Sequence, residues 1–235
     1  MSKKKRKNSN YHYATELSVT ETAGLSKKTI IIIAAAAVLL VAMIVGIVGC
    51  TAAQNKPQEP QEPQEPLPLL YAEMQIAGFG SIIVELDQNE APITVKNFVD
   101  LVEDGFYDGL TIFRAQEGFV IQGGQDETVD LKPIKGEFSS NGVSNNISHV
   151  RGVISMARTN NPNSATSQFF ITLSDSAKYS LDGLYAGFGH VVEGMDVVDA
   201  IASSLLSKTP LNNMGFVADS DAIKITSIKM IDYKK

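Results

Sequence analysis

Residues 152–173 read GVISMARTNNPNSATSQFFITL, and this stretch decides the fold class. Val153–Ala157 and Gln168–Leu173 are apolar runs of strand length, rich in β-branched and aromatic side chains. The segment between them, Arg158–Ser167, is polar and contains Asn161-Pro162-Asn163, a typical turn sequence. The stretch therefore predicts two strands joined by a polar loop.

Six further runs with strand character lie on either side of this pair. The first two are separated by Ala77-Gly78-Phe79-Gly80, which predicts a hairpin with a glycine-bearing turn. The six runs are Glu73–Ile76, Ser81–Leu86, Thr111–Arg114, Phe119–Ile121, Tyr185–Val192 and Ala222–Ile231.

Two segments have the spacing of helices. One opens at Ala91-Pro92, repeats apolar residues at three- and four-residue intervals, and stops at Gly105; the other is Gly194–Ser203. Lys132–His149 is rich in Gly, Ser and Asn, which predicts a long surface loop. Eight strands with only two helices exclude a series of βαβ units. The pattern favours an antiparallel barrel or sandwich with helices at its ends.

Composition excludes several classes of site. The 235 residues contain one Cys, which rules out an intramolecular disulfide framework and a zinc site built on Cys ligands. Three scattered His make a His-rich metal site a poor interpretation. The net charge of -6 argues against nucleic acid as the main partner. We therefore expect neither a metal nor a nucleic-acid partner.

Charge is unevenly distributed along the chain. Residues 1–29 hold seven Lys and Arg against two Glu, a net charge of +5, and form a basic segment. Ile30–Gly49 follows as twenty residues without a charged side chain, about the length needed to span the hydrocarbon core of a membrane. Residues 30–50 are therefore predicted as a transmembrane helix, with the basic segment on the cytoplasmic side.

Cys50 gives the apolar span a second interpretation. Ile47-Val48-Gly49-Cys50 resembles a bacterial lipobox, in which the Cys is lipidated after cleavage of the leader. The long leader and long apolar run favour an uncleaved anchor instead. Both interpretations place everything after residue 50 outside the cytoplasmic membrane and tethered to it.

Residues 51–70 are predicted as an extended linker. Gln-Glu-Pro occurs three times from Gln58 to Pro66, and such proline spacing favours a polyproline II stalk of roughly 40 Å. A spacer is the favoured interpretation, and a docking site for a proline-reading module is the alternative. Residues 71–235 then form one domain. With Leu70 included, it carries 12 Lys and Arg against 21 Asp and Glu.

Arg114 is the one charged side chain within an apolar stretch of this domain that could carry chemistry. Strand alternation predicts that it lies on one barrel face beside Phe119 and Gln122. A buried Arg needs hydrogen-bond partners, and Gln122 is a candidate. The alternative is a purely structural Arg that stabilises a carboxylate such as Glu117.

Other catalytic arrangements find no support in the sequence. His149 and His190 stand beside no nucleophile-elbow motif and lack the spacing of a zinc-binding helix. The carboxylates are dispersed, so a pair for glycoside hydrolysis has no support.

Three blocks in order resemble a cyclophilin, a peptidyl-prolyl cis-trans isomerase. They are FRAQEGFVIQGG at Phe113–Gly124, the opening stretch at Gly152–Leu173, and LDGLYAGFGHVVEGMDVV at Leu181–Val198. The resemblance runs from about Glu73 to Tyr233 and is closest to small bacterial forms. It implies a closed eight-stranded antiparallel β-barrel capped by two α-helices.

The resemblance implies an active groove, carried over position by position. Arg114 matches the catalytic arginine and Gln122 the glutamine that orients it, while Phe119 and Val120 match the aromatic-aliphatic pair of the proline pocket. The other substrate-binding positions are Ala157, Arg158, Gln168, Phe170, Leu181 and Tyr185.

Three positions depart from common members of the family. Tyr185 stands where many members have His, and Arg158 stands where eukaryotic members have Asn. Ser180 replaces the Trp that contacts cyclosporin, which puts cyclosporin binding in doubt.

The resemblance implies rotation about X-Pro bonds in proline-containing polypeptides, including nascent secreted proteins. Amide rotation breaks no bond, so no cofactor is expected. We also expect the protein to be a monomer. Two alternatives remain. One is a tethered module that binds proline-bearing peptides with little turnover, and the other is an envelope adaptor whose stalk is the functional part.

Overall fold

The computed structural model describes residues 65–234. The basic segment 1–29, the predicted span 30–50, Cys50 and most of the linker lie outside the described residues. Within residues 65–234, no helix is long and apolar enough to cross a membrane. The end of the predicted linker is held by the domain: Asn89 exchanges two hydrogen bonds with the backbone of Leu67, at 2.8 and 2.9 Å.

Eight antiparallel strands close into a barrel, which confirms the predicted fold class. Around the barrel the order is β1-β2-β7-β5-β6-β4-β3-β8. The strands are β1 Leu70–Ile76, β2 Gly80–Leu86, β3 Thr111–Gln116, β4 Val120–Gly123, β5 Val153–Met156, β6 Phe169–Thr172, β7 Gly187–Glu193 and β8 Ile223–Ile231.

Three α-helices accompany the barrel within the described part of the chain, one more than the sequence predicts. They are α1 Pro92–Glu103, α2 Lys178–Leu181 and α3 Met195–Leu206. The two long helices were expected, and α3 continues past the predicted end to bury Leu205. The four-residue helix α2 escapes prediction because a single turn is too short to show helical periodicity.

The long helices lie over the openings of the barrel. Helix α1 contacts β8, and its Phe98 packs against Phe169 of β6 and Phe188 of β7. Helix α3 contacts β2, β3 and β4. Because each helix contacts strands from separate parts of the ring, each covers an open end. Phe98 is fully buried and belongs to the single large core that fills the barrel.

Both ends of α1 are stabilised, one by a residue that the sequence does not identify. Pro92 stands in the first turn, where its missing N–H costs nothing. Buried Glu137 accepts hydrogen bonds from the backbone N–H groups of Ile93 at 3.0 Å and Thr94 at 2.7 Å. At the other end Gly105 adopts a positive φ of 69°, which stops the helix.

Two sequence predictions need correction. Lys132–His149 is irregular as predicted, but Glu137, Phe138 and His149 within it are buried, so it is not simply a surface loop. The predicted strand Tyr185–Val192 begins later, at Gly187. Tyr185 instead donates its backbone N–H to Leu181 in the turn after α2, and its ring packs on Phe170.

Candidate active site

A row of side chains on the outer face of the barrel is set by strand register. Arg114 of β3 pairs with Gln122 of β4, and Gln122 pairs with Phe170 of β6. The neighbouring residues Ile121 and Ile171 belong to the barrel core. Because successive side chains of a strand alternate between faces, the row of Arg114, Gln122 and Phe170 points outward.

The Arg114 guanidinium is held by three neutral oxygens. Its Nη1 donates to Gln122 Oε1 at 2.7 Å, its Nη2 to Gln116 Oε1 at 2.9 Å, and its Nε to the carbonyl of Met214 at 2.7 Å. Burial lowers the pKa of Arg114, while the charge interaction with Tyr185 raises it.

Gln122 is therefore confirmed as the predicted partner of Arg114. The alternative of a structural ion pair with Glu117 is wrong. Glu117 lies exposed in the turn between β3 and β4, and Arg114 forms no salt bridge with any residue in the described range 65–234.

A cavity of about 240 Å³ lies beside the Arg114 guanidinium. Its apolar lining comes from a hydrophobic cluster that is separate from the barrel core. The cavity is lined by Arg114, Phe119, Val120, Gln122, Ala157, Arg158, Phe170, Leu181, Tyr185, Met214 and Phe216. The cavity thus combines an apolar wall with guanidinium and amide groups.

Nine of the ten groove residues predicted from the sequence line this cavity. The tenth, Gln168, lies behind the rim, where its Oε1 accepts a hydrogen bond from Gln122 Nε2 at 2.9 Å. Gln168 also lines an adjoining cleft that shares Gln122, Ala157, Arg158 and Phe216 with the cavity. Ser180, by contrast, is exposed and not among the residues that line the cavity.

Sequence reasoning missed the contribution of the segment between α3 and β8. Met214 and Phe216 line the cavity, and the Arg114 guanidinium lies 5.4 Å from the centre of the Phe216 ring. Gly215 lets this segment lie directly on β3, because a Cβ there would stand 2.0 Å from the carbonyl oxygen of Ala115. The only signal was a group of large apolar residues, Leu211, Met214 and Phe216, within an otherwise polar segment.

Tyr185 and Arg158 add an aromatic ring and a second guanidinium to the cavity lining. The Tyr185 ring meets Phe170 edge to face at 5.7 Å. The Arg158 guanidinium lies 4.6 Å from the centre of the Tyr185 ring and 5.1 Å from that of Phe138. These contacts place a second cation at the rim of the cavity.

A buried histidine supports Phe170 from behind. The His149 ring stacks on Phe170 at 6.1 Å, its Nδ1 lies 2.9 Å from Asp182 Oδ1, and its Nε2 lies 3.0 Å from Ser155 Oγ. Because the Asp182 carboxylate accepts from Nδ1–H, the Ser155 hydroxyl donates to Nε2. His149 and Ser155 are completely buried, so this Ser-His-Asp chain is closed to a substrate.

The ionisation of the pair follows from its surroundings. Burial lowers the pKa of His149, although the hydrogen bond and charge of Asp182 raise it. Burial raises the pKa of Asp182, but hydrogen bonds from the His149 backbone, the Ser148 hydroxyl and the His149 ring together lower it. The histidine is thereby held neutral beside an ionised carboxylate.

The geometry suits recognition of a small apolar ring beside a hydrogen-bond acceptor. Phe119, Phe170 and Leu181 supply apolar surface, and Arg114 supplies fixed N–H donors. Among the described residues no cluster of three or more His, Cys, Asp and Glu could hold a metal ion.

Comparison with a family model gives a match over most of the described domain. The model for cyclophilin type peptidyl-prolyl cis-trans isomerases matches residues 71–229. The chain is 47% identical to a peptidyl-prolyl cis-trans isomerase of Acinetobacter baylyi over 132 residues, which are 53% of this chain and 68% of that protein. It is 43% identical to peptidyl-prolyl cis-trans isomerase A of Dickeya dadantii over 163 residues, 65% of this chain and 80% of that protein.

A solved structure shares the fold. A cyclophilin type isomerase of Cryptosporidium parvum superposes with a TM-score of 0.59 at 24% identity, covering 71% of this chain and 100% of the other. Family model, relatives and fold agree over the barrel that carries the cavity. The chain belongs to the cyclophilin-type peptidyl-prolyl cis-trans isomerases.

Proposed function

We propose that this isomerase seats the proline ring in the cavity lined by Phe119, Phe170 and Leu181, and turns the X-Pro bond beside Arg114. The observation that carries the proposal is the juxtaposition of the apolar cluster in the cavity wall with a guanidinium whose three hydrogen bonds go to neutral oxygens. A structure of the Cryptosporidium relative was determined in the presence of the dipeptide Ala-Pro, which supports a proline-bearing ligand for this cavity.

The chemistry requires stabilisation of a twisted amide. Rotation about a peptide bond has a barrier of about 18–20 kcal/mol, because resonance gives the C–N bond partial double-bond character. In the twisted state the prolyl nitrogen becomes pyramidal and its lone pair can accept a hydrogen bond. A guanidinium has five N–H groups, and the three hydrogen bonds of Arg114 leave two for the substrate.

Arg114 therefore stabilises the twisted state more than either planar state, which is the condition for catalysis. The charge of Arg114 is retained throughout, so the step requires no proton transfer. Gln122 acts as a positioning residue, because it accepts from Arg114 and is itself fixed by Gln168.

We also propose that the isomerase works on the outer side of the cytoplasmic membrane, where it assists the folding of secreted and envelope proteins. The support is in the sequence: a basic segment 1–29, an uncharged run from Ile30 to Gly49, and a proline-rich linker before the domain. The anchor is either the uncleaved apolar span or a lipid on Cys50.

Isomerase activity is tested with the full chain in detergent micelles and a proline tetrapeptide, by the rate of cis-to-trans relaxation. Acceleration over the uncatalysed rate supports the proposal. Phe170→Ala should raise KM for the peptide, because it removes part of the apolar lining of the cavity. Thermal denaturation followed by circular dichroism verifies that the variant is folded. A folded parent that leaves the relaxation rate unchanged would contradict the assignment of the cavity.

The anchor is tested by membrane fractionation of cells that express the full chain or Cys50→Ser. Recovery of the parent in the membrane fraction with all 235 residues, determined by mass spectrometry, supports an uncleaved span. A parent that lacks residues 1–49, while Cys50→Ser keeps them, supports lipidation. A parent absent from the membrane fraction would contradict tethering altogether.

A further inference from the structure

The groove carries a positive charge that contrasts with the rest of the domain. Arg114 and Arg158 are the charged side chains among the described residues that line the cavity and the adjoining cleft. No Asp or Glu of the described chain lines either of them. The domain as a whole carries 21 Asp and Glu against 12 Lys and Arg. Two cations are thus concentrated at one site on an acidic domain.

Arg158 has no anionic partner within residues 65–234. Its Nε and Nη2 donate to the carbonyl of Leu184 at 3.0 and 2.8 Å, and its Nη1 donates to the carbonyl of Thr159 at 2.8 Å. These three hydrogen bonds leave two of its five N–H groups for a ligand.

The Arg158 side chain is also fixed in place. Its guanidinium lies over the rings of Tyr185 and Phe138 while its N–H groups hold backbone carbonyls. A fixed guanidinium loses little side-chain entropy when it binds a carboxylate, which favours a charged hydrogen bond over that of a mobile surface Lys. Arg158 lines both the cavity and the cleft, so it stands where the chain on one side of a bound proline must pass.

We propose that Arg158 makes this groove selective for peptides that carry a carboxylate next to the proline. The inference rests on the function proposed above and defines its substrate class. Carboxylates elsewhere on the domain repel such a peptide weakly, because salt at 0.15 M screens exposed charges beyond about 8 Å.

The preference applies to one side of the proline. Beyond Phe216 lies a separate cleft lined by Glu127 and Asp219, which disfavours a second carboxylate there. The chain itself contains an acidic X-Pro sequence, because Gln58–Pro66 presents Glu before Pro three times. A synthetic peptide of that sequence is therefore a suitable probe.

The experiment compares kcat/KM of the full chain in detergent for tetrapeptides with Glu, Gln or Lys on each side of the proline. On one side of the proline, kcat/KM for the Glu peptide should exceed that for the Gln peptide by about three- to tenfold. The Lys peptide should have a lower kcat/KM than the Gln peptide. The Glu-to-Gln ratio should fall towards one in 0.5 M salt and in Arg158→Gln. Arg158→Lys, which keeps the charge, should retain part of the ratio. Lys229→Gln, which removes an exposed charge on β8, should retain all of it.

A second readout is competition by the peptide QEPQEPQEP against QQPQQPQQP. The acidic peptide should be the stronger inhibitor of the parent and lose that advantage against Arg158→Gln. A Glu-to-Gln ratio below threefold on both sides of the proline would overturn the proposed selectivity. A ratio that persists in Arg158→Gln would overturn it as well. Neither result would contradict the proposed isomerase function. Absence of turnover for every peptide would instead contradict the proposed function.

Discussion

Neighbouring residues fix the Arg114 guanidinium in position without neutralising its charge. The three oxygens around it belong to Gln122 opposite on β4, Gln116 on its own strand and Met214 of a distant segment. None of them neutralises the guanidinium. A Lys at this position would be a single point charge and could not satisfy all three acceptors in one plane while still facing the cavity.

The partner of Arg114 could be predicted because it is local. A short turn joins β3 to β4, so strand pairing places residue 122 opposite residue 114. Met214 could not be predicted in this way, because it lies a hundred positions along the chain from Arg114. Sequence patterns report local periodicity and carry no information on which distant loop covers a strand.

His149 makes folding stability depend on pH. Burial lowers the pKa of His149 from the ordinary value of 6.5, so the unfolded chain binds its proton at a higher pH than the folded chain does. This contribution is present above about pH 6.5 and is lost as pH falls from 6.5 through the folded pKa. The free energy of unfolding, measured with urea between pH 5 and 8, should therefore decrease towards low pH.

His149→Asn should flatten that pH dependence, whatever it does to stability at pH 8. The lowered pKa of Asp182 acts in a separate window, because its stabilising contribution is lost only as pH falls below 3.8 towards the folded value. Equal slopes for parent and variant between pH 5 and 6.5 would show that His149 is not the group responsible.

At the scale of elements, α1 depends on a residue far from it in sequence. The buried Glu137 carboxylate accepts hydrogen bonds from Ile93 N–H, Thr94 N–H and the Thr94 hydroxyl. Glu137→Ala should lower the free energy of unfolding by about 1–3 kcal/mol, because buried donors lose their acceptor. Thermal or urea denaturation measures the change.

Two further variants separate this cap from a general effect of charge. Glu137→Gln keeps one side-chain oxygen in place and should lower the free energy of unfolding less than Glu137→Ala does. Glu117→Ala, in an exposed turn, should stay within about 0.5 kcal/mol of the parent. A Glu137→Ala variant as stable as Glu117→Ala would contradict the capping role.

The regular elements could be predicted well where periodicity is long. All eight strands and both long helices lie where alternation and three- to four-residue spacing place them, with ends shifted by a few residues. What escaped prediction is short or irregular in backbone. It comprises the single-turn helix α2, the buried positions of Lys132–His149, and the groove residues Met214 and Phe216. In such segments burial is decided by tertiary contacts, so the residue types alone do not report it.

At the scale of the whole domain, the ring of strands places Phe170 of the groove far from β1, the strand that follows the linker. The chain enters through β1, and β6, which carries Phe170, lies four strands away in either direction around the barrel. The two are therefore on opposite sides of the barrel.

This arrangement predicts that the linker acts only as a spacer, so that catalysis on small substrates does not require it. Deletion of residues 54–64 should leave kcat/KM for a soluble proline tetrapeptide within about twofold of the parent, since the groove is built from residues after position 113. A large loss of activity in a folded deletion variant would instead favour the alternative in which the stalk is the functional part.

We propose that Arg114 drives amide rotation beside the cavity that holds the proline ring. The direct measurement is kcat/KM of the parent, Arg114→Ala and Arg151→Ala, the last being an exposed Arg paired with Asp199 outside the groove. The kcat/KM of Arg114→Ala should be about 10²- to 10³-fold below that of the parent, as expected for removal of a donor to the transition state. The kcat/KM of Arg151→Ala should equal that of the parent. Circular dichroism should show all three folded. A folded Arg114→Ala enzyme with the activity of the parent would contradict the account.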